Sequence, residues 1–314
     1  QGNAGIAAQV DVPPERRFSG FDAYKQVIEA SDVVLLATPP HFRPLHVEAA
    51  VEAGKHLFVE KPVAVDGPGI RRMMEACRQA ADKGLSLVSG LCYRYQFAKQ
   101  ETVKRIHDGA IGDLVEGHVW TNRPIWRQGM ALPEKGQDVP ENLDWDSWVG
   151  PAEMRPFNHD PADGWGGFYH PFNWRGFWDF GCGALGDMAC HQLDPVYWAM
   201  EPGYPTEIEL MDGGAFGDAP MFGPNSTVRF SFPAKGARPG FEVYWHDGGN
   251  KPERPEELPE GENLTNQGGL YIGTEGKMYA AGDPRNWPKL LPEERNKELG
   301  RPEQQIERSA EGHH

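Results

Sequence analysis

The sequence is poor in cysteine, in long apolar runs and in positive charge. Its four cysteines form no C-x-x-C pair, which argues against a zinc ribbon and against a disulfide scaffold. The longest apolar run, residues 33–37, is far too short to cross a bilayer. The 31 basic residues are outnumbered by 46 acidic ones, and the net charge of −15 disfavours binding to nucleic acid or to an anionic membrane surface.

No signal peptide is evident either, and the chain begins with Gln1 rather than with methionine. The sequence therefore leaves the compartment open. A cytoplasmic location is favoured, and an exported, periplasmic form is the alternative if a segment before Gln1 has been removed.

What the chain does contain is enough for a folded protein. At roughly 150 residues per domain, its 314 residues suggest about two domains, and a chain of this length can bury a core without a disulfide or a metal. Its 38 glycines and 28 prolines are about a fifth of the chain, which is below the share typical of disordered sequences. Ten tryptophans are more than a disordered chain carries.

Helical and strand-like patterns alternate along the first 90 residues. Three segments place apolar residues at helical spacing: 21–30, 45–53 and 66–83. Three short apolar runs follow them and have the composition of buried strands: 33–38, 56–59 and 85–89. This order is typical of βαβ units, so we predict a doubly wound parallel sheet of the Rossmann type over residues 1–95.

The third of these helices has recognisable ends. Asp66 is the expected N-cap and Gly84 the expected stop. The apolar spacing predicts one buried face, made of Ile70, Met73, Met74, Cys77, Ala80 and Ala81.

The rest of the chain has α+β character. We place a second domain over residues 96–282 and a tail over residues 283–314. The patterns predict two helices, 101–108 and 184–200. They also predict strands over 114–121, 226–232, 242–245, 270–273 and 277–280. Residues 123–180 form a long irregular stretch that is rich in tryptophan, proline and glycine, and such loops are usually functional.

Two short motifs follow predicted parallel strands. A-T-P-P-H ends the first strand at residues 37–41, and E-K-P follows the second at residues 60–62. Ligands of open α/β sheets bind outside the carboxyl ends of the strands, and Lys61 beside a cationic cofactor ring would become a usable acid or base. Pro62 could allow a cis peptide. The alternatives are a proline-rich turn that merely ends a strand and a surface ion pair of little energy.

A third motif is G-x-L-G-D-x-x-x-H-x-x-D, at residues 183–194. Asp187 and His191 are four positions apart, so they share one face of a helix. Such a pair suits proton transfer, with the carboxylate holding the imidazole. One alternative is a metal site, although no third ligand is evident. In the other alternative, Gly186 or Asp187 simply begins or caps the helix.

The spacing G-x-G-x-x-G also occurs, at residues 181–186. A dinucleotide fingerprint must follow a strand within a βαβ unit. Here an irregular aromatic stretch precedes the glycines and no parallel strand is predicted after the helix. We therefore reject these glycines as a phosphate loop.

In this order, the three motifs resemble those of the Gfo/Idh/MocA family of nicotinamide-dependent oxidoreductases, over about residues 21–280. The resemblance implies a Rossmann domain and then a domain with an open, mostly antiparallel sheet, with the substrate between them. It implies a catalytic set of Lys61, Asp187 and His191. The residues expected to bind the cofactor are Thr38, Pro39, Pro40, His41, Glu60, Lys61, Pro62 and Trp178.

The tryptophan-rich stretches at 120–124, 143–150 and 172–181 resemble the long sugar-site loops of bacterial members of this family. Aromatic faces stack on sugar rings while polar groups bind the hydroxyls. The candidate substrate-binding residues are Arg94, Trp126, Trp165, Trp174, Arg175, Trp178 and His191. The alternative is that about half of these tryptophans only pack the core and the loops.

The resemblance implies hydride transfer between NAD or NADP, with NAD favoured, and a hydroxyl-bearing carbon of a sugar or sugar derivative. The hydroxyl proton would pass to His191 or Lys61, and Asp187 would orient His191. Two alternatives remain: glycoside cleavage through transient oxidation by a bound NAD, and a non-catalytic sugar-binding protein. We expect a homo-oligomer, because open sheets often pair with a copy of themselves, and neither a nucleic-acid nor a membrane partner.

The sequence departs from the family pattern at both ends. The family opens with a strand and G-x-G-x-x-G, which are absent here, and it continues beyond a motif like Gly312-His313-His314. A truncated chain is therefore expected. A natural chain of this length would bind the pyrophosphate weakly, because the helix N-terminus that holds this group would be lacking.

Overall fold

The computed structural model describes residues 10–132, 135–159, 167–214, 220–282 and 286–303. The chain divides into two compact units. The first unit comprises residues 1–89 and 135–157, and the second comprises residues 90–134 and 158–314. Trp165, one of the predicted sugar-binding residues, lies outside the described residues, as does the end of the predicted tail.

A parallel sheet and its helices form the first unit, as predicted. Its described strands are β1 (Val33–Leu36), β2 (His56–Val59) and β3 (Leu87–Ser89). The helices that alternate with them are α1 (Ala23–Glu29), α2 (Arg43–Glu52) and α3 (Gly67–Asp82). The strands pair in the order β1-β2-β3, so the expectation of Rossmann-like parallel pairing is confirmed.

The helices bury only one face of β1. Val34 and Leu36 pack into a core with residues of α1, α2 and α3, whereas Val33 and Leu35 are exposed, Leu35 by 74%. The prediction of a fully buried strand is therefore wrong for β1, because the described helices cover the Val34 side and leave the Leu35 side open.

Helix α3 begins as expected but turns a different face to the core. The Asp66 carboxylate caps it by accepting a hydrogen bond from the backbone N–H of Gly69, at 2.6 Å. The residues that it buries are Gly69, Met73, Ala76 and Ala80. The residues wrongly assigned to the buried face are Ile70, Met74, Cys77 and Ala81. Gly69 explains the rotation, because a Cβ there would lie only 3.0 Å from Cβ of Ala64 and 3.2 Å from Cγ of Pro44, so this face approaches its neighbours closely.

A larger, mostly antiparallel sheet forms the second unit. Its described strands are β4 (Leu114–Trp120), β5 (Glu207–Gly213), β6 (Ser226–Phe232), β7 (Phe241–His246), β8 (Gly268–Gly273), β9 (Lys277–Ala281) and β10 (Lys289–Leu291). They pair in the order β10-β9-β8-β4-β7-β6-β5. Among these pairs, β4 and β7 run parallel and the others run antiparallel. The predicted open, mostly antiparallel sheet is confirmed.

Helices α4 (Phe97–His107), α6 (Gly183–Gln192) and α7 (Asp194–Met200) belong to the second unit. Met188 and Ala189 of α6 pack with Val119 of β4 and Trp245 of β7. Ile106 and Val196 pack with a neighbouring part of the same sheet. No described helix is long and apolar enough to span a membrane.

The single helix predicted over 184–200 is in fact two helices, separated at Leu193. Pro195 has no backbone N–H and cannot continue the ladder of a long helix, but it is tolerated in the first turn of a new one. The motif therefore spans a helix break, with His191 before it and Asp194 after it.

Strands β5 and β10 and the helix Glu294–Leu299 were not predicted. Strand β5 is exposed along its whole length, although residues 207–210 alternate polar and apolar side chains as a half-buried strand would. Strand β10 pairs with β9, and the helix Glu294–Leu299 follows it. Part of the expected tail, 283–314, is thus an edge of the sheet, held by the buried side chains of Leu290 and Leu291.

The two units divide between Ser89 and Gly90, where the sequence suggested a boundary near residue 95. Residues 135–157, expected in the second domain, belong to the first unit and carry the short helix α5 (Trp145–Val149). The contact of Gly150 with the Phe42 ring of the first unit is close, since a Cβ at Gly150 would lie 2.6 Å from that ring. Local patterns carry no information about such a return of the chain.

Candidate active site

The two strand-end motifs of the first unit lie side by side. Leu36 of β1 is opposite Val59 of β2 in a parallel register, and the Glu60 N–H donates to the Leu36 carbonyl at 2.9 Å. The turn that contains Thr38 and the loop that contains Lys61 therefore leave adjacent strand ends, where ligands of such sheets bind.

Arg43 of α2 forms a hydrogen bond to the loop that contains Lys61. Its side chain is buried, and Nη1 donates to the carbonyl oxygen of Pro62. The Lys61–Pro62 peptide is cis. The hydrogen bond from Arg43 ties the backbone next to Lys61 to the N-terminal turn of α2.

The turn after β1 borders an aromatic group that the sequence analysis missed. The His46 ring stacks on Tyr24, with 4.6 Å between centroids, and lies parallel to Phe42 at 5.9 Å. Burial lowers the pKa of His46, so its ring is a neutral packing group at pH 7. His41, predicted to bind the cofactor, packs against Phe42 with 4.0 Å between ring centroids.

A cavity of about 410 Å³ opens beside this turn within the first unit. Thr38 and Pro39 line it together with apolar and aromatic side chains, including Tyr24, Phe42 and His46. Its volume and mostly apolar lining are typical of small-molecule and cofactor sites. Two of the predicted cofactor-binding residues, Thr38 and Pro39, therefore border a cavity of the size in which small molecules bind.

Helix α6 of the second unit carries Asp187 and His191 one turn apart, as predicted. The His191 side chain is 4% exposed and its ring stacks on Tyr93, with 4.3 Å between centroids and 24° between planes. The helix begins at Gly183, a full turn before Asp187, so Asp187 is not its cap. Among the described residues no group of three metal-ligating side chains occurs.

Arg175 accompanies Asp187. Its Nε lies 3.6 Å from Oδ1 of Asp187, and its guanidinium lies 4.4 Å from the ring centroid of Trp174 and 4.3 Å from that of Phe172. Burial lowers the pKa of Arg175, and the carboxylate of Asp187 opposes this effect. Three predicted site residues, Asp187, Arg175 and Trp174, are therefore in one place.

The other predicted substrate-binding residues have different surroundings. Trp178 is 47% exposed and meets Phe222 edge to face. Trp126 is buried, and its indole N–H donates to Oε1 of Gln128 at 2.9 Å, so its contacts are those of a packing residue. The Nε and Nη2 atoms of Arg94 bind Asp194, and its guanidinium lies over Trp198.

The glycines at 181–186 have a packing role. A Cβ at Gly181 would lie 2.5 Å from the carbonyl oxygen of Arg175, and one at Gly183 would lie 2.6 Å from the Phe222 ring. Gly183 also has a φ of +60°, and a Cβ at Gly186 would overlap the side chain of Cys182. Close packing at the start of α6 accounts for the spacing that mimics a phosphate loop.

The comparison with known families agrees with both halves of the fold. A family model described as "Oxidoreductase family, NAD-binding Rossmann fold" matches residues 4–87. Its companion, "Oxidoreductase family, C-terminal alpha/beta domain", matches residues 113–213. The chain belongs to the Gfo/Idh/MocA family. The resemblance seen in the three motifs is thus confirmed.

Individual Gfo/Idh/MocA proteins are similar over parts of the chain. Levoglucosan dehydrogenase of Pseudarthrobacter phenanthrenivorans is 29% identical over 200 residues, which are 62% of this chain and 40% of that protein. A glycosyl hydrolase family 109 protein of Streptomyces coelicolor is 30% identical over 99 residues, which are 31% of this chain and 20% of that protein. The chain thus spans less than half the length of these relatives.

A solved structure of this family has the same fold. A levoglucosan dehydrogenase in complex with NADH and levoglucosan superposes with a TM-score of 0.55 at 20% identity, covering 86% of this chain and 60% of that one. At this identity the likeness shows the fold. The family assignment makes the chain a member of an NAD-binding oxidoreductase family with sugar dehydrogenases among its relatives.

Proposed function

We propose that the protein moves a hydride between a nicotinamide cofactor, NAD in preference to NADP, and a hydroxyl-bearing carbon of a sugar or sugar derivative. The observation that carries this proposal is the arrangement on α6: Asp187 and His191 lie one turn apart, Arg175 lies beside Asp187, and the Trp174 ring packs on the Arg175 guanidinium. A proton-transfer pair next to a cation and an aromatic face suits a polyhydroxylated substrate.

His191 is the proposed proton acceptor for the sugar hydroxyl. A carboxylate one helical turn away favours the charged imidazole that forms when His191 takes the proton. Arg175 lies beside the Asp187 carboxylate, with 3.6 Å between Nε and Oδ1. Lys61, at the end of β2, is the second proposed acid–base group and lies on a loop whose backbone Arg43 holds.

The residues at the strand ends of the first unit are proposed to hold the cofactor: Thr38, Pro39, Pro40, His41, Glu60, Lys61 and Pro62. Trp178, an exposed ring of the second unit, is proposed to contact it as well. When bound, the cofactor supplies the two-electron chemistry, and the chain supplies position and proton transfer. Trp174, Arg175 and His191 are the proposed sugar contacts.

The test combines binding and turnover. Calorimetry with NAD⁺ and with NADP⁺ measures cofactor binding, and NADH formation is followed with levoglucosan, myo-inositol and methyl glucosides. We expect NAD⁺ binding and NADH formation with at least one of these compounds. Lys61→Ala and His191→Ala should abolish turnover while the protein still folds, as circular dichroism checks. The matched surface variants Lys25→Ala and His56→Ala should retain turnover. Wild-type rates in either site variant would overturn the assignment.

A second function is favoured by the similarity to a glycosyl hydrolase family 109 protein. In it, the bound cofactor would oxidise a sugar hydroxyl and later reduce the same carbon again; in between, the glycosidic group would leave by elimination and water would add in its place. Release of nitrophenol from a nitrophenyl glycoside without net NADH would identify this reaction. Sugar binding with no NAD⁺ binding would instead identify a non-catalytic sugar-binding protein.

A further inference from the structure

A short segment of the second unit contacts the α6–α7 junction at three neighbouring residues. The segment, residues 92–99, comprises the 3-10 turn Cys92–Tyr95 and the start of α4, and we call it the Tyr93 segment. The Tyr93 ring stacks on His191, Lys99 binds Gln192, and Arg94 binds Asp194. The residues contacted are therefore the proposed proton acceptor, its neighbour and the first residue of the next helix.

The Arg94–Asp194 contact is the most directional of the three. Arg94 Nη2 donates to Oδ1 of Asp194 at 2.6 Å, and Nε lies 3.1 and 3.2 Å from the two carboxylate oxygens. Asp194 is 6% exposed, and the Trp198 ring lies 4.7 Å from the guanidinium. A forked contact of this kind fixes orientation as well as distance. It therefore sets where the turn that carries Tyr93 meets α7.

The Lys99–Gln192 contact holds the other side of the junction. Lys99 Nζ donates to Oε1 of Gln192 at 2.9 Å, and Gln192 is 1% exposed. A hydrogen bond from a cation to a buried amide is strong because little water competes for either group. The last residue of α6 is thus tied to α4.

These contacts matter for His191 because this residue lies in the last turn of α6. Helix α6 ends one residue after His191, and the carbonyl groups of a last turn have no partners within the helix. Rotation about the bond to a histidine ring is only weakly restricted by the side chain itself. A ring stacked on the imidazole restricts that rotation.

We propose that Tyr93 is a positioning residue for His191, and that Arg94 and Lys99 hold the Tyr93 segment in place for this purpose. The inference rests on the proposed function, in which His191 accepts the hydroxyl proton. Proton transfer requires the acceptor nitrogen within hydrogen-bond reach of the hydroxyl, so the ring plane decides how often the pair is aligned. This role uses the face of Tyr93 and not its hydroxyl.

The first test does not depend on turnover. Diethyl pyrocarbonate acylates accessible neutral imidazoles, and peptide mass spectrometry follows the modification of His191 with time. We expect Tyr93→Leu to raise the rate at His191 about fivefold or more, and Tyr93→Phe to leave it unchanged, because only the former loses the stacked ring. Tyr244→Leu is the matched control, because Tyr244 stacks on a different histidine of the same unit, His118, with 4.8 Å between centroids. It should leave the modification rate at His191 unchanged.

The second test measures turnover with NAD⁺ and the sugar that gives NADH. Tyr93→Leu should lower kcat about tenfold with little change in KM, because alignment is lost while binding is retained. Tyr93→Phe should restore kcat, and Tyr244→Leu should leave it unchanged. Arg94→Lys keeps the positive charge but loses the forked hydrogen bonds to Asp194, so it should lower kcat severalfold. This variant replaces Tyr93→Leu in both tests if Tyr93→Leu does not fold.

The modification test and the turnover test distinguish a failure of the proposed function from a failure of the positioning role of Tyr93. Absence of NAD⁺ binding and of turnover in the wild type would overturn the proposed function, and the modification rates would still decide the position of His191. Equal modification rates in the wild type, Tyr93→Leu and Arg94→Lys would overturn the positioning role. A fall in kcat that Tyr93→Phe fails to restore would overturn the role assigned to the ring face.

Discussion

Arg175 and Asp187 form a close charge pair in the second unit, with 3.6 Å between Nε and Oδ1. Arg175 lies on the 3-10 turn Asn173–Gly176 and Asp187 on α6. Neither side chain is fully exposed, so water screens the pair less than it would at the surface. The pair joins the tryptophan-rich loop to the helix that bears His191.

Removing the cation of this pair should impair catalysis more than folding. Arg175→Met keeps most of the length of the side chain and removes the guanidinium beside Asp187. We expect kcat/KM to fall by about tenfold to a hundredfold, because the guanidinium then no longer fixes the position of the carboxylate that lies one helical turn from His191. Arg175→Lys should recover part of this loss. Arg229→Met, which breaks the ion pairs with Glu207 and Glu209 on the sheet, is the control and should retain full activity.

Acid should weaken the second unit through His246. This ring is buried, its Nε2 lies 3.1 Å from Nδ1 of His118, and Thr227 Oγ1 lies 3.3 Å from its Nδ1. Burial, with a smaller contribution from His118, lowers the pKa of His246 to about 4. The unfolded chain, with a pKa near 6.5 at this residue, therefore binds more protons than the folded chain between these values.

The free energy of unfolding should accordingly fall as the pH drops below about 6.5, by about 2 kcal/mol at pH 5. Urea titrations at pH 7 and pH 5 measure the change. His246→Gln, which keeps hydrogen-bonding capacity but does not titrate, should remove most of it. The assignment to His246 is wrong if this variant shows the same loss as the wild type.

The cap of α3 should be worth a measurable part of the stability of the first unit. Asp66→Ala removes the acceptor of the Gly69 N–H, and we expect the free energy of unfolding to fall by about 1 kcal/mol. Asp66→Ser should cost less, because serine is also a good cap. Asp82→Ala, at the exposed end of the same helix, removes a surface ion pair with Arg78 and should cost well under half as much.

Alanine at Gly181 should affect stability and not cofactor affinity. Its Cβ would meet the carbonyl oxygen of Arg175, so we expect a loss of about 1–3 kcal/mol in the free energy of unfolding, as for other overpacked sites. Calorimetry at a temperature where the variant is folded should give an unchanged NAD⁺ affinity. Gly117→Ala, whose Cβ would have ordinary contacts with Val243 at 3.8 Å, is the matched control. A selective loss of cofactor affinity in Gly181→Ala would show that these glycines contact phosphate.

The local pattern of apolar residues was enough to predict the strands and helices that bury residues at a regular spacing. The strands β2, β4, β6 and β7 were found because burial leaves apolar residues in short runs or in alternation. Strand β5 was missed although residues 207–210 alternate polar and apolar side chains, and the structure leaves all seven of its residues exposed. The break between α6 and α7 did have a signal, Pro195, which the apolar spacing of the two helices concealed.

Some residues of the candidate site could likewise be predicted from local pattern, and others could not. Asp187 and His191 could be paired from their spacing, since four positions along a helix bring side chains to one face whatever surrounds it. The Thr38 turn and the Lys61 loop could be placed together because parallel strands end at one edge. Tyr93, Lys99 and His46 had no comparable signal, because their partners belong to other elements.

By itself, the sequence determined the family, the alternation of helices and strands in the first unit, and the motif residues that follow the strand ends or share the face of α6. These follow from periodicities of a few residues and from short motifs. The tertiary structure alone decided that Arg94 binds Asp194, 100 positions away, that Arg175 accompanies Asp187, and that residues 135–157 return to the first unit. Such contacts depend on how whole elements pack, and packing sums over many side chains that lie far apart in the sequence.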